Sequence, residues 1–261
     1  MVDGEDNVFV IEVNPRASRT VPFISKITGV PMIRLAMRAV MGGSLADCGW
    51  PLGLQQPSSL VAVKAPVFSF QKLRDLDVDL GPEMKSTGEV MGIAASYPIA
   101  LRKALVASGI SVPSAAQCQK IGLLATIANA DKEDAVDLIQ GFARLGFVIY
   151  STAGSAAYFQ EQGIETVAVK KLSEGRPNIV DNILDRKFSL VINTVSENQK
   201  AEAEARLIRR EAVEHNIPVI TSLETARALL QAISIGDEDE VSVTELGEVL
   251  QFAGSAFSAA V

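Results

Sequence analysis

Residues 120–155 read KIGLLATIANADKEDAVDLIQGFARLGFVIYSTAGS. Lys120 to Thr126 is a short apolar run, which predicts a buried strand. Asp131 opens a segment with helical periodicity, Lys132 to Leu145, which Gly146 closes. Phe147 to Ser151 repeats the strand pattern, and Thr152-Ala153-Gly154-Ser155 turns into a helix from Ser155 to Gln162, closed by Gly163. The same alternation continues outward. Thr166 to Val169 reads as a strand, about Asn178 to Asp185 as a helix, and Ser189 to Asn193 as a strand. A long helix over about Gln199 to His215, a short strand at Pro218 to Thr221 and a helix over Leu223 to Ile233 complete it. Five strands alternating with five helices predict an α/β fold, a doubly wound five-stranded parallel sheet covered on both faces with right-handed crossovers. The acidic run 237–240 reads as a solvated link to a short terminal helix.

In such sheets ligands bind beyond the carboxyl ends of the strands. The polar residues there are Thr126, the Thr152–Ser155 turn, Lys171, and Asn193-Thr194-Val195-Ser196. Gly154 would permit close backbone approach, and the free N–H groups of the following helix favour an anion. Lys132, Lys171 and Arg176 could add positive charge. Taken singly, the threonine and serine are equally well read as helix caps and the lysines as surface charge.

Towards the amino terminus, Val8 to Val13 (VFVIEV) is apolar and β-branched, and it predicts a buried strand. Side chains two apart share a face, so Glu12 and Asn14 would sit side by side at its end. A carboxylate beside an amide oxygen is a hard-oxygen pair suited to Mg²⁺ or Mn²⁺. Pro15 ends strand pairing, and Arg16 and Arg19 are guanidinium forks suited to phosphate or carboxylate. Without further context the cluster reads equally as a strand end with exposed charges. Pro22 to Thr28 and Pro31 to Met41 predict short helices, stopped by Gly29 and by Gly42-Gly43. Residues 51–59 form a connector, Ser59 to Phe70 is strand-like around Pro66, 81–92 reads as a loop, and Pro98 to Ser108 is helical.

The 261 residues are 48% hydrophobic and 21% charged, enough for one large or two ordinary domains. Aromatics are only 5%, so the core must rest on aliphatic side chains. A net charge of −7 argues against nucleic-acid binding, which needs a basic surface. No apolar run approaches the length of a membrane span, and MVDGEDNVF lacks the layout of a signal peptide. Cys48 and Cys118 are isolated thiols, as expected of a reducing cytoplasm. His215, at the end of a charged helix, reads as a solvated last-turn residue rather than a catalyst.

The stretch 12–32, EVNPRASRTVPFISKITGVPM, closely resembles the metal-and-phosphate strand of ATP-grasp enzymes, in the form found in the large chain of carbamoyl phosphate synthetase. It looks like that chain's second, carbamate-phosphorylating half, and 81–92, GPEMKSTGEVMG, is similar to another stretch of the same family. The resemblance implies two domains. Residues 1–116 would be the C-terminal remnant of the ATP-grasp domain, a partial lobe with too little chain before Val8 for an adenine pocket. Residues 117–261 would be a methylglyoxal-synthase-like regulatory domain. It further implies ATP as substrate, Mg²⁺ or Mn²⁺ on Glu12 and Asn14, and phosphate contacts or ordering of the metal ligands by Arg16 and Arg19.

By position, Lys132, Thr152, Ser155, Lys171 and Asn193 match the family's nucleotide contacts, with Gly154 in the same turn. The implied effectors are nucleoside monophosphates (UMP, IMP). Ser155 stands where the family often has threonine, and Val195 replaces a hydroxyl residue seen in some members. Val219-Ile220-Thr221 lacks the Tyr-Asp that precedes the matching threonine in ornithine-responsive forms, which counts against ornithine. The implied partners are the glutaminase small subunit and the rest of a large chain, with self-association through the C-terminal domain. The implied setting is a cytoplasmic, glutamine-dependent synthesis feeding pyrimidine and arginine formation. The isolated chain is expected to be inactive in that synthesis. Two rivals stand beside this reading, a stand-alone nucleotide-sensing module and a methylglyoxal-synthase-type lyase. The absence of the lyase's catalytic aspartate motif disfavours the second.

Overall fold

The computed structural model describes residues 2–10, 13–49, 59–70, 84–114, 117–196 and 198–234, with 53, 78, 245, 247 and 248. The described residues fall into two compact units, one up to Ser59 together with 245, 247 and 248, the other from Leu60 to residue 234.

In the first unit, Thr20–Thr28 (α1) ends on Gly29, whose φ of 70° is the left-handed cap that stops a helix. Met32–Val40 (α2) follows Pro31 directly. The Ser25 hydroxyl fixes the corner, donating to the Val30 carbonyl and accepting from the Met32 N–H at 3.3 Å. The strand expected over Val8 to Val13 does not form at its described positions. Val8 makes an isolated bridge with Val2, while Val8, Val10 and Val13 are all more than three-quarters exposed. A β-branched run becomes a strand only beside a hydrogen-bonding neighbour and over an apolar surface. No such strand lies beside it among the described residues.

The second unit starts with Val61–Val67 (β1) and Gly88–Ala94 (β2), an antiparallel pair in which Pro66 faces Glu89. A two-stranded sheet has only edges, which is where proline is tolerated. The loop expected over 81–92 is corrected from Gly88 onward, where the chain is strand. The alternating signal is missing because an inward position holds Gly92, with no side chain to show it. Tyr97–Ala107 (α3) crosses so closely there that a Cβ on Gly92 would lie 2.0 Å from the Ala100 carbonyl oxygen.

The parallel sheet contains Gly122–Thr126 (β3), Val148–Thr152 (β4), Thr166–Val169 (β5), Leu190–Asn193 (β6) and Val219–Ile220 (β7). Between them run Lys132–Arg144 (α4), Ala153–Glu161 (α5), Ile179–Leu184 (α6), Gln199–Glu214 (α7) and Leu223–Ile233 (α8). The order β5-β4-β3-β6-β7 makes the sheet doubly wound, as its alternating pattern predicts. One core gathers Leu123, Leu138, Ile139, Phe142, Ile192 and Leu229; a second gathers Leu124, Ile179, Phe188, Val191 and Ile208. Leu123 and Leu124, neighbours on one strand, belong to different cores, so both sheet faces are covered.

The described residues between 60 and 114 cluster in the same compact unit as this sheet. Leu101 and Leu105 of α3 join the Leu123 core, and Arg102 donates from Nη1 to the Ala232 carbonyl at 3.2 Å and from Nη2 to that of Val112 at 3.4 Å. Among the described residues, no helix is long and apolar enough to cross a membrane. Both cysteines are free thiols.

Candidate functional site: a polar cavity where the sheet order reverses

Strands β3 and β6 are sequence-distant neighbours, and the chain leaves their carboxyl ends in opposite directions around the sheet. The gap this opens is the usual ligand crevice of open α/β sheets. Thr126 and Asn193, the last residues of the two strands, are register partners there. A cavity of about 430 Å³ lies over them, and its lining includes Lys132, Thr152, Gly154, Ser155, Lys171 and Asn193. All six effector-binding candidates therefore face one space.

Each arrives by a separate route. Thr152 ends β4 and stands at the N-cap of α5 with extended dihedrals, yet its hydroxyl makes no capping bond. The first N–H groups of α5 lack intrahelical acceptors, as in every helix, and with the helix dipole they favour an anion. A Cβ added to Gly154 would meet nothing within 4 Å, so the protein's own packing does not demand a glycine there. Lys132 begins α4, with its ammonium 5.7 Å from the centre of the Tyr158 ring. Burial, and then the neighbouring Lys171 charge, holds the Lys132 ammonium below the ordinary lysine pKa. Lys171 precedes the turn Leu172–Glu174, and its N–H donates to Glu174 Oε2 at 2.9 Å. Arg176 is not in this lining; it pairs with Asp181, which holds the aspartate below and the guanidinium above their usual pKa values.

Asn193 is 2% exposed and held at both ends. Its Nδ2 donates to Thr126 Oγ1 at 2.7 Å, and its Oδ1 accepts from Arg209 Nη1 at 2.7 Å. Arg209 is fully buried and ion-paired with Glu202, whose other oxygen accepts from the Ser196 N–H at 3.1 Å. Thr194 Oγ1 accepts from the Ala128 N–H at 2.8 Å, joining the loops after β3 and β6. Glu204 also lines the cavity and accepts from the Ser173 N–H at 3.2 Å, tying the segment after Lys171 to α7.

The contributions of α7 were not among the sequence candidates. Their signal is an apolar stripe, Ala201-Ala205-Ile208-Ala212, with Glu202 and Arg209 two turns apart on one side. Ala201, Ala205 and Ile208 line the cavity. The remaining candidates lie in the first unit. Asn14, Arg16 and Arg19 are exposed there, with Arg19 preceding α1, and Glu12 falls outside the described residues. Among the described residues no three His, Cys, Asp or Glu side chains gather as a metal-binding group.

Comparison with known proteins covers both units. The family model "Carbamoyl-phosphate synthase L chain, ATP binding domain" matches residues 1–48, and the model "MGS-like domain" matches 134–221. The carbamoyl phosphate synthase large chain of Agathobacter rectalis is 42% identical over 243 residues. That alignment takes in 93% of this chain and 22% of the relative, so the chain spans less than a quarter of the relative's length. Among solved structures, the methylglyoxal synthase of Elizabethkingia anophelis aligns with 43% of this chain and 78% of its own, at 20% identity and a TM-score of 0.35. The two family models and a 42% identity that extends over nearly all of this chain place it among the relatives of the carbamoyl phosphate synthase large chain.

Proposed function

We propose that the cavity at the β3/β6 switch binds a nucleoside monophosphate as an effector, and that the chain serves ATP-dependent carbamoyl phosphate synthesis as the end of a large chain. The observation that carries the effector reading is the meeting of Lys132, Lys171 and the α5 amino terminus on one cavity. Two ammonium groups and unpaired N–H donors suit a phosphate dianion. Ile179, Ala205 and Ile208 add apolar lining for a base, while Asn198 and Glu204 add partners for ribose hydroxyls.

On this reading Glu12 and Asn14 would hold Mg²⁺ or Mn²⁺, which supplies charge neutralisation to the ATP phosphates in carbamate phosphorylation. Arg16 and Arg19 would bind phosphate or order those ligands. The fuller setting follows the family: glutamine-derived ammonia from a small subunit, a cytoplasmic location, and use of the product in pyrimidine and arginine synthesis. Calorimetric titration of the 261-residue chain with UMP and IMP tests the effector reading. Saturable one-site binding of either is expected, with a rise in melting temperature because the ligand binds only the folded state. Absence of binding by a folded chain would remove the effector role.

A further inference from the structure

We propose that Arg209, which does not line the cavity, is the positioning residue of the anion site, acting by neutralising Glu202 and fixing the Asn193 amide. The proposal rests on the effector reading above. Arg209 has donors and no acceptor, so the atom of Asn193 that faces it must be the amide oxygen. The amide nitrogen is then turned to Thr126, which accepts from it at 2.7 Å. One buried guanidinium thereby sets the polarity of the two residues that end β3 and β6.

Its second contact concerns charge. Glu202 is a carboxylate with 16% of its side chain exposed, bonded to the backbone N–H of Ser196, a cavity-lining residue. An anionic ligand would be repelled by such a group, and poorly solvated charges are weakly screened. The Arg209 guanidinium cancels that charge and reaches Asn193 at the same time, through separate N–H groups of one rigid fork. A fully buried guanidinium is costly without such partners, so a purely structural position would be served as well by an apolar side chain.

The test uses the whole chain with inorganic phosphate and UMP as calorimetric probes. Arg209→Met is expected to weaken UMP binding at least tenfold, and adding Glu202→Gln to it to recover affinity to within about threefold of wild type, because the uncompensated charge is gone. Unchanged affinity in Arg209→Met overturns the proposal. So does a double variant as weak as the single one, the outcome for a side chain that only packs. Should Arg209→Met not fold, Arg209→Lys serves in its place. It keeps the charge but not the fork, and a measurable loss of UMP affinity is expected; wild-type affinity would sink the idea. A wild-type chain that binds neither probe overturns the effector reading itself, and this proposal falls with it.

Discussion

Asn193 Nδ2 donates to Thr126 Oγ1 across 2.7 Å, joining β6 to β3 where the order of the sheet reverses. The pair is part of the cavity floor, so the polarity of one side chain decides what the other can offer a ligand. Asn193→Asp keeps the shape and the bond from Arg209, but it makes the group acceptor-only and adds a negative charge beneath an anion site. A folded protein with phosphate affinity lowered about tenfold or more is expected, since a tenfold change is only about 1.4 kcal/mol. Circular dichroism and calorimetry together read this out; undiminished phosphate binding would exclude Asn193 from the site.

Lys171 lines the cavity beside the turn Leu172–Glu174 and is exposed. Hydrogen bonds to charged groups contribute about 1.5–3 kcal/mol each. Lys171→Ala is therefore expected to weaken UMP binding by roughly ten- to a hundredfold with little change in melting temperature. Calorimetry giving equal affinities would place the phosphate elsewhere.

Arg176 supplies the contrast. Its charge is committed to Asp181, and it does not line the cavity. Asp181 Oδ2 also accepts the Asn178 N–H at 2.8 Å, closing the capping box of α6. Arg176→Ala should leave UMP affinity within about twofold, whereas Asp181→Ala should lower stability by opening the capping box. Asp181 has a folded pKa below its ordinary value, so its contribution is present at neutral pH and is lost as pH falls through that depressed value. Urea melts from pH 7 downward should therefore converge for wild type and Asp181→Ala in acid. A tenfold affinity loss in Arg176→Ala would return that residue to the site.

The parallel sheet was legible in the sequence because its strands are short apolar runs, each bounded by a turn signal, as at Gly146 before β4 and Gly163 before β5. The residues that line the cavity were legible because strand ends and helix starts have fixed places in such a sheet. Two features were not. Gly92 carries no side chain to mark the inward face of β2, so its strand looked like a loop. Arg209 sits in a charged helix and reads as solvated, since only the tertiary fold brings Asn193 and Glu202 to it. At its described positions the Val8–Val13 run forms no strand for the opposite reason: its local β-propensity is high, but no strand among the described residues lies beside it.

Gly92 also gives a stability test independent of any ligand. A Cβ there would lie 2.0 Å from the Ala100 carbonyl oxygen and 2.6 Å from the Ala104 nitrogen, both backbone atoms of α3. Backbone cannot rotate aside as a side chain can, so the strand and helix must separate. Gly92→Ala is expected to destabilise by roughly 1–3 kcal/mol, in the range of overpacked cores. Gly154→Ala, where a Cβ meets nothing, should stay within about 0.5 kcal/mol in the unliganded chain. Equal stability of the two variants in denaturant would contradict the close approach of α3 to β2.

The lysine pair couples anion binding to protonation. Burial and the Lys171 charge lower the Lys132 pKa from its ordinary 10.5 in the free protein. A bound phosphate places negative charge beside both ammonium groups, which raises the Lys132 pKa again. Between the free and bound values, binding must take up a proton. Affinity contributed by Lys132 is full below the lowered free-state value and declines as pH rises through it. Phosphate affinity should therefore begin to fall at a lower pH than an ordinary lysine would give. Lys132→Arg removes this group from the accessible range, because a guanidinium stays charged throughout. The comparison is made by calorimetry in buffers of different ionisation enthalpy, which counts the protons taken up. Wild type should show uptake on the alkaline side and Lys132→Arg should show less. Identical proton counts for the two would mean that Lys132 does not face the bound anion.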